Sequence, residues 1–244
     1  MSALIVGATV ASYWIGWLIG SPILVPILNT AASYPFMVAA LWRGRLISAI
    51  GRMLIWAATM AVCATAMSYR HPVDTDRLFV GGEAYRVEMH AWVTTGVGAE
   101  SMPSTFIPQH VWHAVAFAAL TLATGGALAM PMGAVLTNYM GHYVGTLAAM
   151  GAHPIALMIL GWHPWAIVRI VSFVIIGVVL SVPLLMRLAR RRSVRATGVR
   201  ATQPDAGQGR RLLAWALGGL VLDIVMKAAL APAWQRLLAR LYYG

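Results

Sequence analysis

The chain has 244 residues, of which 60% are hydrophobic and only 10% charged, and its formal net charge is +11. Ordinary soluble domains carry about 25% charged residues, so a soluble globular fold is excluded. Residues 3–42 and 101–168 contain no Asp, Glu, Lys or Arg. A membrane-spanning helix needs about 20 mostly apolar residues, and the period-2 alternation of a membrane β-barrel is missing. The expected fold class is therefore all-α, a polytopic helical transmembrane bundle of six or seven spans, with residues 1–244 forming one integral membrane domain.

In chain order, residues 3–42 are long enough for two spans broken at Gly20-Ser21-Pro22, with kinks at Pro26 and Pro35. Two spans give seven in all and put the N-terminus inside; one span plus a re-entrant piece gives six. Residues 46–68 form the next span. Residues 69–108 are expected to be an outer loop, since they hold three arginines against five acids. Helices are then expected at 109–130, 132–151 and 165–187, with a short non-spanning piece from His153 to Pro164. The basic loop, 188–211, belongs in the cytoplasm. A last helix, 212–231, should stop at Pro232, and residues 233–244 read as an interfacial amphipathic tail.

The basic excess follows from topology. Eight arginines lie between positions 187 and 211, and Arg43, Arg45 and Arg52 mark a second inside segment. Nucleic acid is therefore not an expected partner; the lipid bilayer is, together with further copies of the chain or the other subunits of a complex. The expected location is the bacterial inner (plasma) membrane. Cys63 is the single cysteine, which leaves no disulfide framework.

This topology places six of seven histidines on the outer side. His71 and His90 fall in the outer loop, His110 and His113 at a helix mouth, and His153 and His163 at the outer connection. His110 and His113 are spaced i,i+3, so they share a helix face. Imidazole is a common ligand of copper, zinc and iron. His90, Glu88, Glu100, His153 or His163 are available to complete a site begun by His110 and His113, which gives an outer-facing metal or redox site as one functional reading. The alternative is that the histidines collect with Trp92, Trp112, Trp162 and Trp165 as an interfacial aromatic belt.

His142 is the deep exception. It lies in a polar knot with Asn138, four residues earlier on the same face. A metal ligand, a proton relay, a substrate contact and an interhelical packing bond all fit. It has no deep histidine partner, so an intramembrane haem is not expected. Asp223 and Lys227, an i,i+4 couple in the last helix, are expected to pair with each other and point inward. With Asn138 and His142 they outline a second functional reading, a small-solute or proton-coupled transport pathway. Arg169 is expected to snorkel to the outer interface or to bind an anionic headgroup or substrate. Gly141 and Gly145 form a small-xxx-small packing motif. A third reading is a non-catalytic scaffold subunit. No P-loop, HExxH, GxSxG or dinucleotide fingerprint is present, and whether the protein is an enzyme stays open.

One local likeness bears on the metal reading. The run Phe106-Ile-Pro-Gln-His110, opening a helix after an outer loop that contains His90, resembles the copper-binding region of the C subunit of membrane-bound methane and ammonia monooxygenases. It is a short stretch, and the spacing of its acidic residue and histidines differs from the family's. The resemblance implies copper or a similar metal at the outer face.

Overall fold

The computed structural model describes residues 1–196, 202 and 204–244, and among these it is helical throughout, with no strand. In chain order the helices are α1 (Ser2–Ile19), α2 (Leu24–Ala31), α3 (Tyr34–Trp42), α4 (Leu46–Arg70), α5 (Pro72–Asp76), α6 (Gly82–Thr95), α7 (Pro103–Thr124), α8 (Ala129–Met150), α9 (Pro154–Leu160), α10 (Pro164–Ala196) and α11 (Ala206–Tyr243). Six stretches are long and apolar enough to cross a membrane: α1, the continuous pair α2–α3, α4, α7, α10 and α11. This is the all-α helical bundle that the scarcity of charge requires. The more polar α8 has 22 residues, and 14 of them are buried. It runs inside the bundle as its axis.

Glycines set both the ends and the closest contacts. Gly20 closes α1 in the left-handed region at φ 69°, where a Cβ is disfavoured. Helices α4 and α8 pack through the small-residue motif. A Cβ at Gly145 would lie 2.4 Å from the Thr65 carbonyl oxygen, and one at Gly141 would lie 2.6 Å from Ala64 Cβ. No side chain fits at either position, so the two backbones approach as closely as they do only because both residues are glycine.

The two arginine-bearing segments meet at one end of the bundle. Arg43 bridges to Thr202, and Trp42 donates to the Leu185 carbonyl. The acidic segment and α9 occupy the opposite end, called the loop end below.

Four expected boundaries change, the first being the break expected after residue 130: α7 ends at Thr124 and α8 begins at Ala129 and runs through Pro131. The 69–108 segment is not simply a loop: it contains α5, α6 and the first turn of α7, and α6 packs on α8, where His90 Nε2 lies 3.2 Å from Thr146 Oγ1. The last helix does not stop at Pro232 but continues to Tyr243. Contacts beyond the proline hold it. Trp234 donates to Leu160 O, Gln235 to Val93 O, and the 152–153 backbone N–H groups donate to Tyr242 O and Leu241 O. Of the expected 188–211 loop, residues 188–196 extend α10 and 206–211 open α11, while 197–201 and 203 lie outside the described residues. The start of α11 is capped by Asp205, whose carboxylate accepts from Gly207 N at 2.9 Å and Gln208 N at 3.2 Å.

Candidate functional site

Helices α7, α10 and α11 each carry one polar residue toward a common point. α7 begins at Pro103 and carries Pro108 within it, so His110 sits two turns inside the helix rather than at its mouth. Its imidazole is buried and lies between two charges. Nδ1 is 3.0 Å from Asp223 Oδ2 on α11, and Nε2 is 2.5 Å from an Arg169 guanidinium nitrogen on α10. A guanidinium nitrogen can only donate, so Nε2 is the acceptor and the proton of the neutral ring is on Nδ1, facing the carboxylate. The Nδ1–carboxylate approach is close but poorly aimed for a hydrogen bond, and Nδ1 and the other carboxylate oxygen, Oδ1, are buried with no hydrogen-bond partner among the described residues.

One turn along α11, Lys227 donates to Glu100 Oε1 at 2.6 Å and stands 4.4 Å above the centre of the Phe106 ring. Glu100 comes from the short 3₁₀ turn at Ala99–Ser101. Burial alone would raise the pKa of its carboxyl, and the neighbouring Lys227 charge reverses this and holds it below the ordinary range. Asp223 and Lys227 therefore do not form the mutual pair expected from their spacing. Each is 1% exposed and each takes a partner from another element. Across the cluster, two acids balance two bases, and His110 is neutral.

A cavity of about 330 Å³ lies against this cluster, with Arg169, His110, His113, Glu100 and Asp223 in its wall. That is within the roughly 300–1,000 Å³ of small-molecule sites. The rest of the wall is mostly apolar, including Phe117, Met130 and Phe173. Its rim holds Val111 and Val115 of α7 and Leu217 and Val221 of α11, all exposed. At this depth an exposed apolar rim faces lipid. The cavity thus opens sideways, between α7 and α11, and not only toward water. Arg169 does not snorkel to the interface; it is turned into this cavity.

A second polar cluster is closed. His142 Nδ1 is 2.9 Å from Ser68 Oγ, and its Nε2 is 2.7 Å from Asp76 Oδ1. Asp76 in turn accepts two bonds of 2.8 Å from Arg86. Burial opposes ionisation of Asp76, but Arg86 and His142 outweigh it and lower its pKa. Deeper in the bundle, Tyr13 donates to Asn138 Oδ1, Asn138 donates to Asn29 Oδ1 at 3.0 Å, and Asn29 donates to Ser12 Oγ at 2.8 Å. His142 and Ser68 are fully buried, and neither lines the cavity. The Ser68–His142–Asp76 series has the residue types of a hydrolytic relay, but its serine has no route to a substrate. Here it ties α4, the Pro72–Asp76 turn and α8 together.

The six residues expected to gather a metal do not converge. His110 belongs to the cavity cluster and His113 to its wall. His90 bonds Thr146. His153 is exposed at the N-terminal cap of α9. His163 is buried, stacked on Trp165 at 4.7 Å, with its Nε2 3.4 Å from the Tyr143 hydroxyl. Glu100 is committed to Lys227. Among the described residues no three His, Cys, Asp or Glu side chains are placed to hold a metal ion. The likeness of the 106–110 run to a copper site therefore stops at sequence. The transport pathway expected past His142 also divides: Asp223 lines the cavity, whereas His142 and Asn138 sit in packed interior.

Comparison against family models, curated proteins and solved structures finds no match for this chain.

Proposed function

We propose that the protein binds an amphipathic small molecule that enters from the bilayer between α7 and α11 and sets its polar end against Arg169, His110 and Asp223. It is a multi-pass protein of the inner membrane, with the arginine-rich end in the cytoplasm by the positive-inside rule. The site then lies in the outer half of the bilayer. The observation that carries this reading is the cavity itself: an apolar chamber with a lipid-facing rim and one concentrated polar patch. Such sites fix an apolar body by shape and orient it with a few polar groups. Charged groups at this depth are costly unless paired or functional. In this patch the pairing leaves unused capacity, in Asp223 Oδ1 and in the remaining N–H groups of Arg169.

The test is photolabelling of the reconstituted protein with a diazirine-bearing alkyl amphiphile, mapped by peptide mass spectrometry. Labelling should concentrate on the cavity-facing residues of α7, α10 and α11. Val221→Trp, which fills the mouth, should reduce it by about tenfold. Uniform labelling of all lipid-facing helices, unchanged by Val221→Trp, would overturn the proposal.

A further inference from the structure

The charge balance of the patch selects the chemistry of the ligand's polar end. Resting on the cavity reading above, we infer that the ligand carries an uncharged group able both to donate and to accept a hydrogen bond, a hydroxyl above all. Four formal charges surround the site, Arg169 and Lys227 against Glu100 and Asp223, and they cancel. Lys227 and Glu100 are satisfied by their 2.6 Å bond. His110 is neutral, because its Nε2 faces a guanidinium that can only donate. A carboxylate or phosphate entering this balanced site would meet Arg169 but would also face the buried Asp223 oxygen that has no partner among the described residues. An alkylammonium would meet Asp223 but would also face Arg169. Either ion leaves one net charge buried beside lipid, which is strongly disfavoured.

A hydroxyl avoids both conflicts. Its hydrogen points at Asp223 Oδ1, the acceptor with no partner. Its oxygen receives an Arg169 N–H, of which one is bonded among the described residues, to His110. Both contacts are charge-assisted and therefore stronger than neutral hydrogen bonds. The unsatisfied carboxylate oxygen is otherwise a standing cost, because buried polar atoms without partners are rare. The apolar wall accounts for the ligand's other end. The class inferred is thus an alcohol with a long apolar body.

The experiment uses the full-length protein in nanodiscs and the photolabel above, displaced by dodecanol, dodecanoate or dodecylamine at neutral pH. Dodecanol should displace the label at a concentration about tenfold below that of the acid or the amine, a difference of about 1.4 kcal/mol. Arg169→Gln and Asp223→Asn should each remove that preference. Val221→Trp, which leaves every charge in place, should reduce site-specific labelling by the same factor of about ten even if either charge variant fails to fold. Equal or better displacement by the acid or the amine would overturn the headgroup inference and leave the cavity reading standing. If label on the cavity faces is displaced by none of the three, the cavity reading fails with it.

Discussion

The two polar clusters are built from the same residue types and behave oppositely. Around His142, Ser68 and Asp76 satisfy both ring nitrogens and Arg86 holds Asp76, and glycines at 141 and 145 draw α4 and α8 together until no side chain fits between them. Around His110, aspartate and arginine flank the imidazole, but the neighbouring space is a cavity and one carboxylate oxygen is left over among the described residues. A buried histidine beside an aspartate, with an arginine in the same cluster, is therefore not itself a sign of function. What distinguishes the two is whether polar capacity remains after folding and whether space adjoins it.

Four perturbations separate the clusters, the strongest first. Gly145→Ala puts a methyl group 2.4 Å from a backbone oxygen that has nowhere to go. It should cost more than about 4 kcal/mol and prevent recovery of folded protein, measured as monodisperse yield after purification. Lys227→Met leaves Glu100 as an unpaired buried charge. A loss of roughly 3–5 kcal/mol is expected, and Glu100→Gln in the same chain should recover part of it in a denaturation assay. If the double variant is no better than the single one, the Lys227–Glu100 pair is not the source of the loss.

His142→Ala takes the imidazole partner from Ser68 and from Asp76, which keeps its two bonds to Arg86, and leaves the cavity untouched. It should lower stability by roughly 2–3 kcal/mol while amphiphile labelling of the folded fraction stays at the wild-type level. Loss of labelling with intact stability would reverse the assignment of the two clusters. The smallest effect concerns pH. Burial, aided by nearby Arg86, pushes the His90 pKa from 6.5 down to about 4. The unfolded chain then binds more protons than the folded one between these values, so stability falls as pH drops from 6.5 toward 4. Asp76, whose pKa is also lowered, adds acid sensitivity in the same direction through the carboxylate range. His90→Gln should flatten the upper part of this slope in thermal unfolding measured across pH. An unchanged slope would remove His90 as its origin.

How far these features could be read in advance depended on their range along the chain. Scarce charge, the two arginine segments and the Gly141/Gly145 spacing are local patterns, and they led to the bundle, to the shared arginine-rich end and to a close helix contact on α8, though not to α4 as its partner. The inward direction of Asp223 and Lys227 was also legible, because unpaired charges at that depth are prohibitive. Their partners were not legible. Glu100 is 127 positions from Lys227, and only the fold of the 69–102 segment against the bundle brings it there. The same holds for His142, whose acid and serine partners come from 66 and 74 positions away. Sidedness alone made His90, His110, His113, His153 and His163, with Glu100, look like one site. At atomic scale they divide among a cavity wall, two packing contacts and an exposed turn, because sharing an end of a bundle brings groups within tens of ångströms and not within bonding distance. The stop at Pro232 failed for a related reason: a proline weakens one turn, and tertiary contacts at Trp234 and Gln235 hold the helix through it.

The most direct test of the account is a cryo-electron microscopy map of the protein in lipid nanodiscs with dodecanol added. The account predicts continuous elongated density that enters between Val115 and Val221 and ends within hydrogen-bonding distance of Arg169 and Asp223. A map in which α7 and α11 close against each other, with added amphiphile confined to the outer surface of the bundle, would contradict it.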